Sequence, residues 1–136
     1  MAQVTIDLPY PPSVNHYWRH TVIAGRTVVY VSAQGKAYRN RVIKATQLLN
    51  IPHYECPVSV TLDIAFPDNR RRDSDNLAKV IFDSLQDARI LKDDKLIWKF
   101  STNRIGIAKG GFVKVTIREL TEQEIIEAQQ QREPLE

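Results

Sequence analysis

Val58-Ser59-Val60-Thr61-Leu62-Asp63-Ile64-Ala65-Phe66-Pro67 is the stretch that decides the architecture. Apolar side chains at 58, 60, 62, 64 and 66 alternate with small or polar ones, the two-residue period of a strand that buries one face. Pro67 stops the strand, because proline has no amide proton for the ladder. Downstream, Asp68 to Asp75 is polar and charged throughout. A helix is expected from about Asn76 to Gln86, with Leu77, Ile81, Leu85 and Ala88 along one face. Ile90 to Asp94 reads as a short connection, and Leu96, Trp98 and Phe100 alternate as another strand. Lys109-Gly110-Gly111 signals a turn before strand character resumes from Phe112 to Leu120.

Upstream, Val4, Ile6 and Leu8 alternate with Thr5 and Asp7 until Pro9, Pro11 and Pro12 end the strand. Ser13 to His20 reads as loop. Val22-Ile23 and Thr27 to Val31 flank Ala24-Gly25-Arg26, the pattern of a β-hairpin. Ser32 is a good N-cap for a helix to about Leu49, with Tyr38, Val42, Ala45 and Leu49 as its apolar stripe. Gly35 weakens the first turn by up to about 1 kcal/mol relative to alanine. Thr121 with Glu124 matches a capping box, so the chain is expected to become helical again there and to fray over Gln129 to Pro134. Strands interspersed with two main helices predict an α+β (mixed α/β) domain over residues 1–120. It would be a single layer of mixed sheet packed with two main helices, followed by an acidic, partly helical extension over 121–136.

The 136 residues suit one domain, and 43% hydrophobic with 26% charged residues is an ordinary globular composition. The apolar runs are far too short to span a membrane, and no secretory leader is visible at the N-terminus. Cys56 is the only cysteine, which excludes an intramolecular disulfide and fits a reducing cytosol, so a cytoplasmic location is expected. The net charge of +3 is a mild bias toward anionic partners. Its distribution is sharper: Lys and Arg crowd into residues 36–44 and 70–72, whereas the tail carries Glu119, Glu122, Glu124, Glu127, Glu133 and Glu136 against Arg132 alone.

Asp73 and Asp75 are two apart, so on an extended chain with Asp75 near a helix N-cap both carboxylates would face one side. Close carboxylates repel, and a hard divalent cation removes the conflict. Mg²⁺ takes oxygen ligands and is often held by one or two carboxylates plus substrate phosphate. Asp93-Asp94 adds carboxylates just before the next strand, where the fold could return them to the same edge. Aspartates without nearby His or Cys suit Mg²⁺ or Mn²⁺ rather than Zn²⁺. Such a site can activate water and stabilise the charge that develops as a phosphodiester is cleaved. Lys79, four residues after Asp75, would stand one turn along the same helix face, within reach of a phosphate. Arg70, Arg71 and Arg72 could hold flanking phosphates.

Each element has a plainer account. Asp-x-Asp before a helix is also a cap and its neighbour, Lys79 with Asp83 is an ordinary helical ion pair, and three arginines are often a solvated loop. Asp93-Asp94 is common turn composition. Other sites are excluded more firmly. The Asp73-Ser74-Asp75 start of a calcium loop fails at Leu77 and Ala78, and Ser84 stands where its closing glutamate would be. His16, His20, His53 and Cys56 lack zinc spacing, and no Walker loop or G-x-S-x-G elbow is present, so no nucleotide cofactor is expected.

Taken together, several stretches resemble the RusA family of Holliday junction resolvases. They are Leu8-Pro9-Tyr10-Pro11-Pro12-Ser13-Val14-Asn15, Val31-Ser32-Ala33-Gln34-Gly35-Lys36-Ala37-Tyr38-Arg39 and Arg70-Arg71-Arg72-Asp73-Ser74-Asp75-Asn76-Leu77. Lys79, Phe82-Asp83-Ser84-Leu85, Leu91-Lys92-Asp93-Asp94 and Lys109-Gly110-Gly111 follow in family order. The resemblance covers about residues 4–120 and leaves the acidic extension outside it. It implies a homodimeric, Mg²⁺-dependent enzyme of phage or prophage type that nicks two opposing strands of four-way junction DNA symmetrically. Its catalytic and metal-binding aspartates match Asp73, Asp75 and Asp94, and its important lysine matches Lys79. Two cuts on a two-fold substrate also call for a two-fold dimer. For DNA contacts, Asn15, His16, Tyr17, Trp18, Arg19, His20 and Arg26 offer polar, aromatic and basic groups on loops, the aromatics as platforms for unpaired bases. Lys36, Arg39, Arg41 and Lys44 are candidates for phosphates along the arms. A nucleic-acid-binding protein without catalysis and a metal-dependent nucleotide phosphohydrolase are the contrasting readings.

Overall fold

The computed structural model describes residues 3–132. Strand β4 (Val58–Phe66) is the centre of a four-stranded sheet with β1 (Val4–Pro9), β5 (Ile97–Ile107) and β6 (Phe112–Glu119), ordered β1-β6-β4-β5. β6 pairs antiparallel with both β1 and β4, while β4 and β5 are parallel. Parallel neighbours need a crossover, and helix α3 (Ser74–Asp87) supplies it. The alternation read at 58–66 is realised: Val58, Val60, Leu62 and Ile64 are buried beside Val113, Val115 and Ile117 of β6 and Ile6 and Leu8 of β1. The opposite face carries polar rows across the strands, such as Asp7, Lys114, Asp63 and Asn103.

Helices α2 (Ala33–Thr46) and α3 cover the apolar face, joining Tyr38, Val42, Leu77, Val80, Ile81 and Leu85 to one core. The mixed sheet and its two main helices match the expected class. A separate two-stranded sheet, β2 (Trp18–Ile23) with β3 (Arg26–Val31), is the expected hairpin, and it stands off the body with its side chains largely exposed.

Four local expectations differ. Ser13 to His20 is not all loop, because the Ser13 carbonyl accepts from the His16 and Tyr17 amides and closes the one-turn helix α1 (Val14–Tyr17). Helix α2 stops at Thr46 rather than Leu49, and buries Gly35, Tyr38, Val42 and Thr46, so Ala45 and Leu49 are exposed instead of forming the stripe. Gly35 is also a point of close approach to α1 and β3: a Cβ there would meet the Tyr17 carbonyl oxygen at 2.6 Å and Val31 Cγ1 at 2.7 Å. β5 continues well past Phe100 to Ile107, because a strand at the sheet edge keeps its ladder with β4 without needing to bury alternate side chains; Ser101, Asn103, Arg104, Ile105 and Ile107 are all exposed. Helix α3 begins at Ser74 rather than near Asn76.

The capping box forms as read, with the Glu124 carboxylate accepting from the Thr121 amide at 2.9 Å and the Thr121 hydroxyl from the Glu124 amide at 3.1 Å, opening α4 (Glu122–Arg132). Glu124 also takes Lys99 at 2.8 Å and Arg118 at 2.7 Å. Both cations flank Ser59 in one row across β5, β4 and β6, so the acidic extension is tied over the polar face. The fraying expected at Gln129 to Pro134 is not seen through Gln131, where α4 is continuous; Glu133 and Pro134 lie outside the described residues.

Candidate active site

The local chemistry of α3 begins at Asp73. Its carboxylate Oδ1 accepts from the Asp75 amide at 2.9 Å and the Asn76 amide at 3.4 Å, which makes Asp73 itself the N-cap. Asp75 is therefore inside the first turn, not on an extended approach. The two carboxylates share the positive end of the helix dipole, which offsets part of their repulsion. Both residues are exposed, and the Asp75 carboxylate has no protein partner among the described residues.

Lys79 follows one turn later. The pair it would form with Asp83 does not exist. Asp83 Oδ2 instead accepts from Arg39 Nη2 at 2.6 Å and Nε at 3.1 Å, and from the Tyr17 hydroxyl. Arg39 Nε also reaches the Tyr17 oxygen at 2.8 Å, and its Nη1 lies 3.5 Å from Asp87. Burial, reinforced by the hydrogen bond to Asp83, pushes the Tyr17 hydroxyl up to about 12, so it stays a neutral donor. The outcome is an exposed Lys79 ammonium with no protein partner among the described residues.

Asp94 is placed by the other end of the helix. Its amide donates to Gln86 Oε1 at 2.6 Å, in the last turn of α3. Desolvation, together with a hydrogen bond and the charge of Asp93, raises the Asp94 carboxyl, and the charge of Asp83 adds to this. Asp93 moves the opposite way because it caps the following 3₁₀ turn, its Oδ1 accepting from the Lys95 amide at 2.8 Å. Of that pair, Asp94 is the carboxylate not occupied as a cap. Among the described residues no three Asp, Glu, His or Cys side chains gather closely enough to hold one ion. Asp73 and Asp75 offer hard oxygen donors that suit Mg²⁺, which needs only one or two carboxylates when phosphate and water complete its shell.

The expected DNA-contact residues divide into two groups. Tyr17 is fully buried and hydrogen-bonded, so its ring is part of the core and offers no stacking face; Trp18 packs edge-on against it at 4.5 Å. Arg39 is committed to Asp83 and Asp87 rather than left for phosphate. Arg72 is bound to Asp68 at 2.7 Å, and Arg70 lies near the same carboxylate at 3.8 Å. Asn15, His16, Arg19, His20, Arg26, Lys36, Arg41, Lys44 and Arg71 are exposed. His16 Nδ1 is 2.9 Å from the Ser13 hydroxyl, which orients the ring. Between the Tyr10–His16 segment and the start of α3 lies a cleft of about 400 Å³ that reaches Asp73 and Asn76. Tyr10 and Asn76 both lie inside motifs visible in the sequence, but only as parts of a proline turn and a helix start.

Residues 9–118 match the family described as "Endodeoxyribonuclease RusA". The chain is 40% identical over 122 residues to "Crossover junction endodeoxyribonuclease RusA" of Escherichia coli O139:H28, covering 88% of this chain and 98% of that protein. The protein of that name in Escherichia coli strain K12 is 39% identical over the same shares. "Crossover junction endodeoxyribonuclease rusA" of Enterobacteria phage 82 is 41% identical over 118 residues, covering 85% of this chain and 93% of the phage protein.

Proposed function

This chain belongs to the RusA family of endodeoxyribonucleases and is a nuclease, and from that premise we propose that it resolves four-way DNA junctions by paired, symmetric, Mg²⁺-dependent nicks. The observation that carries the reading is the charge arrangement on α3. Of its four charged side chains, Asp83 and Asp87 are tied to Arg39, whereas Asp75 and Lys79 have no protein partner among the described residues. Unpaired charges held on a rigid helix are a preorganised place for a cation and a phosphate.

Asp73 and Asp75 would hold the Mg²⁺, with Mn²⁺ as a substitute. When bound, the ion supplies a Lewis acid at the phosphate and lowers the pKa of water. Lys79 places its ammonium at the scissile phosphate and offsets charge as the leaving oxygen departs. Arg70 and Arg71 hold flanking phosphates. Asp94 is the third proposed ligand; because Gln86 tethers it to the other end of α3, it would serve the assembled, substrate-bound enzyme rather than the free chain.

A dimer is part of the same proposal. A two-stranded hairpin alone is marginal in water, and this one exposes Val22 at 68%, Ile23 at 59% and Val29 at 56%. A second copy covering those side chains would pair two active sites on one junction. No helix among the described residues is long and apolar enough to cross a membrane.

The test is to incubate the protein with a labelled four-way junction, a matching linear duplex and a nucleoside triphosphate, each with Mg²⁺ or EDTA. Junction-selective nicking that EDTA abolishes is expected. Binding without nicking in either condition would make the protein a binder only, and phosphate release from the triphosphate would make it a nucleotide phosphohydrolase.

A further inference from the structure

We propose that the cleft between the Tyr10–His16 segment and the N-terminus of α3 is a nucleobase pocket, which takes one unstacked base of the junction next to the cut. The proposal rests on the nuclease reading above and adds a role for a region that reading leaves unused. Its volume of about 400 Å³ is at the small end of ligand pockets, roomy for one base and closed to a duplex. Asp73, a proposed metal ligand, lies on its rim, so an occupant is held beside the reacting phosphate.

The lining has the two properties a base requires. Val14 and Leu77 give an apolar floor, and the Tyr10 ring gives an aromatic wall. Tyr10 is fixed there: it packs edge-on to Phe66 at 6.0 Å, the Arg72 guanidinium lies 5.9 Å from its centroid, and Gly111 clears space for it. A Cβ at Gly111 would meet Tyr10 Cδ1 at 2.8 Å, at a φ of +68° that already favours glycine. The polar groups are Asn15, His16 and Asn76. Each asparagine amide carries both donors and an acceptor, the combination that reads a base edge, and neither has a side-chain partner among the described residues. Arg72, also in the lining, is held in place by Asp68 at 2.7 Å and so keeps the Tyr10 wall where it is. Enzymes that do chemistry on a base hold it, once extruded, by the same two means: stacking on aromatic or apolar side chains and hydrogen bonds to its edge.

Photocross-linking tests this without relying on cleavage. 5-Iododeoxyuridine is placed in turn at each position around the branch point, and the junction is irradiated with saturating protein in EDTA. A cross-link to Tyr10 or His16 from one position is expected. Asn76→Leu, and separately Asn15→Leu, should lower its yield about fivefold or more, the low end of the value of a bidentate base contact. Two variants on different elements guard against misfolding of either, with circular dichroism as the check. Cross-links confined to residues outside the cleft, none at any position, or a yield that neither variant lowers would overturn the pocket. A cross-link in the cleft without nicking in Mg²⁺ would instead overturn the nuclease reading and leave the pocket standing. Nicking without the cross-link sinks only the pocket.

Discussion

The two ends of helix α3 carry similar side chains and treat them in opposite ways. At the C-terminal end, Asp83 and Asp87 are held by Arg39, with Tyr17 adding a hydroxyl, and Gln86 anchors the Asp94 amide. At the N-terminal end, the side chains of Asp75, Asn76 and Lys79 have no protein partner among the described residues, and Asp73 spends one carboxylate oxygen as the cap of the Asp75 and Asn76 backbone amides. The first end is structural: both of its carboxylates are ion-paired to Arg39, and Asp83 is part-buried. The second is left electrostatically unfinished at a helix N-terminus, where the backbone dipole favours anionic ligands and carboxylates alike. Arg39 connects the two, since by capturing Asp83 it removes the acid that would otherwise neutralise Lys79.

The hardest test of that contrast is Asp75→Asn. Loss of a metal ligand forfeits several kcal/mol of charge stabilisation, so junction cutting should fall by about 10³-fold, while gel-shift affinity in EDTA is largely kept. Equal loss of binding would mean that Asp75 is not primarily catalytic. Lys79→Ala should reduce cutting by about 10²-fold, the scale for one preorganised donor at a charged transition state, with partial recovery in Lys79→Arg. An unchanged rate would show that the unpaired ammonium has no role.

Arg39→Met sharpens the contrast because it acts from the structural end. Freeing Asp83 to pair with Lys79 should slow cutting several-fold, and removing a part-buried, hydrogen-bonded ion pair should lower urea stability by about 1–3 kcal/mol. Normal cutting in a destabilised variant would disconnect the two ends. On the hairpin, Val29→Lys should shift a dimer toward monomer in light scattering, with cutting lowered in proportion; a dimer that survives would move the interface elsewhere. The smallest effect concerns α4. Arg118 and Lys99 hold the Glu124 carboxyl far below its usual 4.5. Its contribution to stability is therefore fully present above pH 4.5 and is lost only as pH falls toward the depressed folded value. Proteolytic release of α4 should be flat from pH 8 to pH 5 in the wild type and raised throughout in Glu124→Gln.

Legibility followed the range of the forces involved. Strand β4, the hairpin, Ser32 as a cap and the Thr121–Glu124 box were readable because each depends on residues within a few positions. Helix α1 was not, since one turn is too short to show a period. The second half of β5 was hidden because an edge strand has no need of apolar alternation. Tyr17 and Arg39 looked like DNA contacts in the company of other basic and aromatic residues. Nothing local marks them as partners of Asp83, which is 66 and 44 positions away.

By itself, then, the amino-acid order determined the strand and helix register, the caps, and the acidic and basic residue types from which a metal-assisted nuclease could be built. Those are properties of neighbours along the chain. Only the tertiary structure decided which charges are spent on one another and which stay free, that Gln86 tethers Asp94 at the last turn of α3, and that a cleft opens beside Asp73. The reason is physical: whether a charge is neutralised depends on what folding brings within a few ångströms of it, and residues 17, 39 and 83 meet only once α1, α2 and α3 are packed.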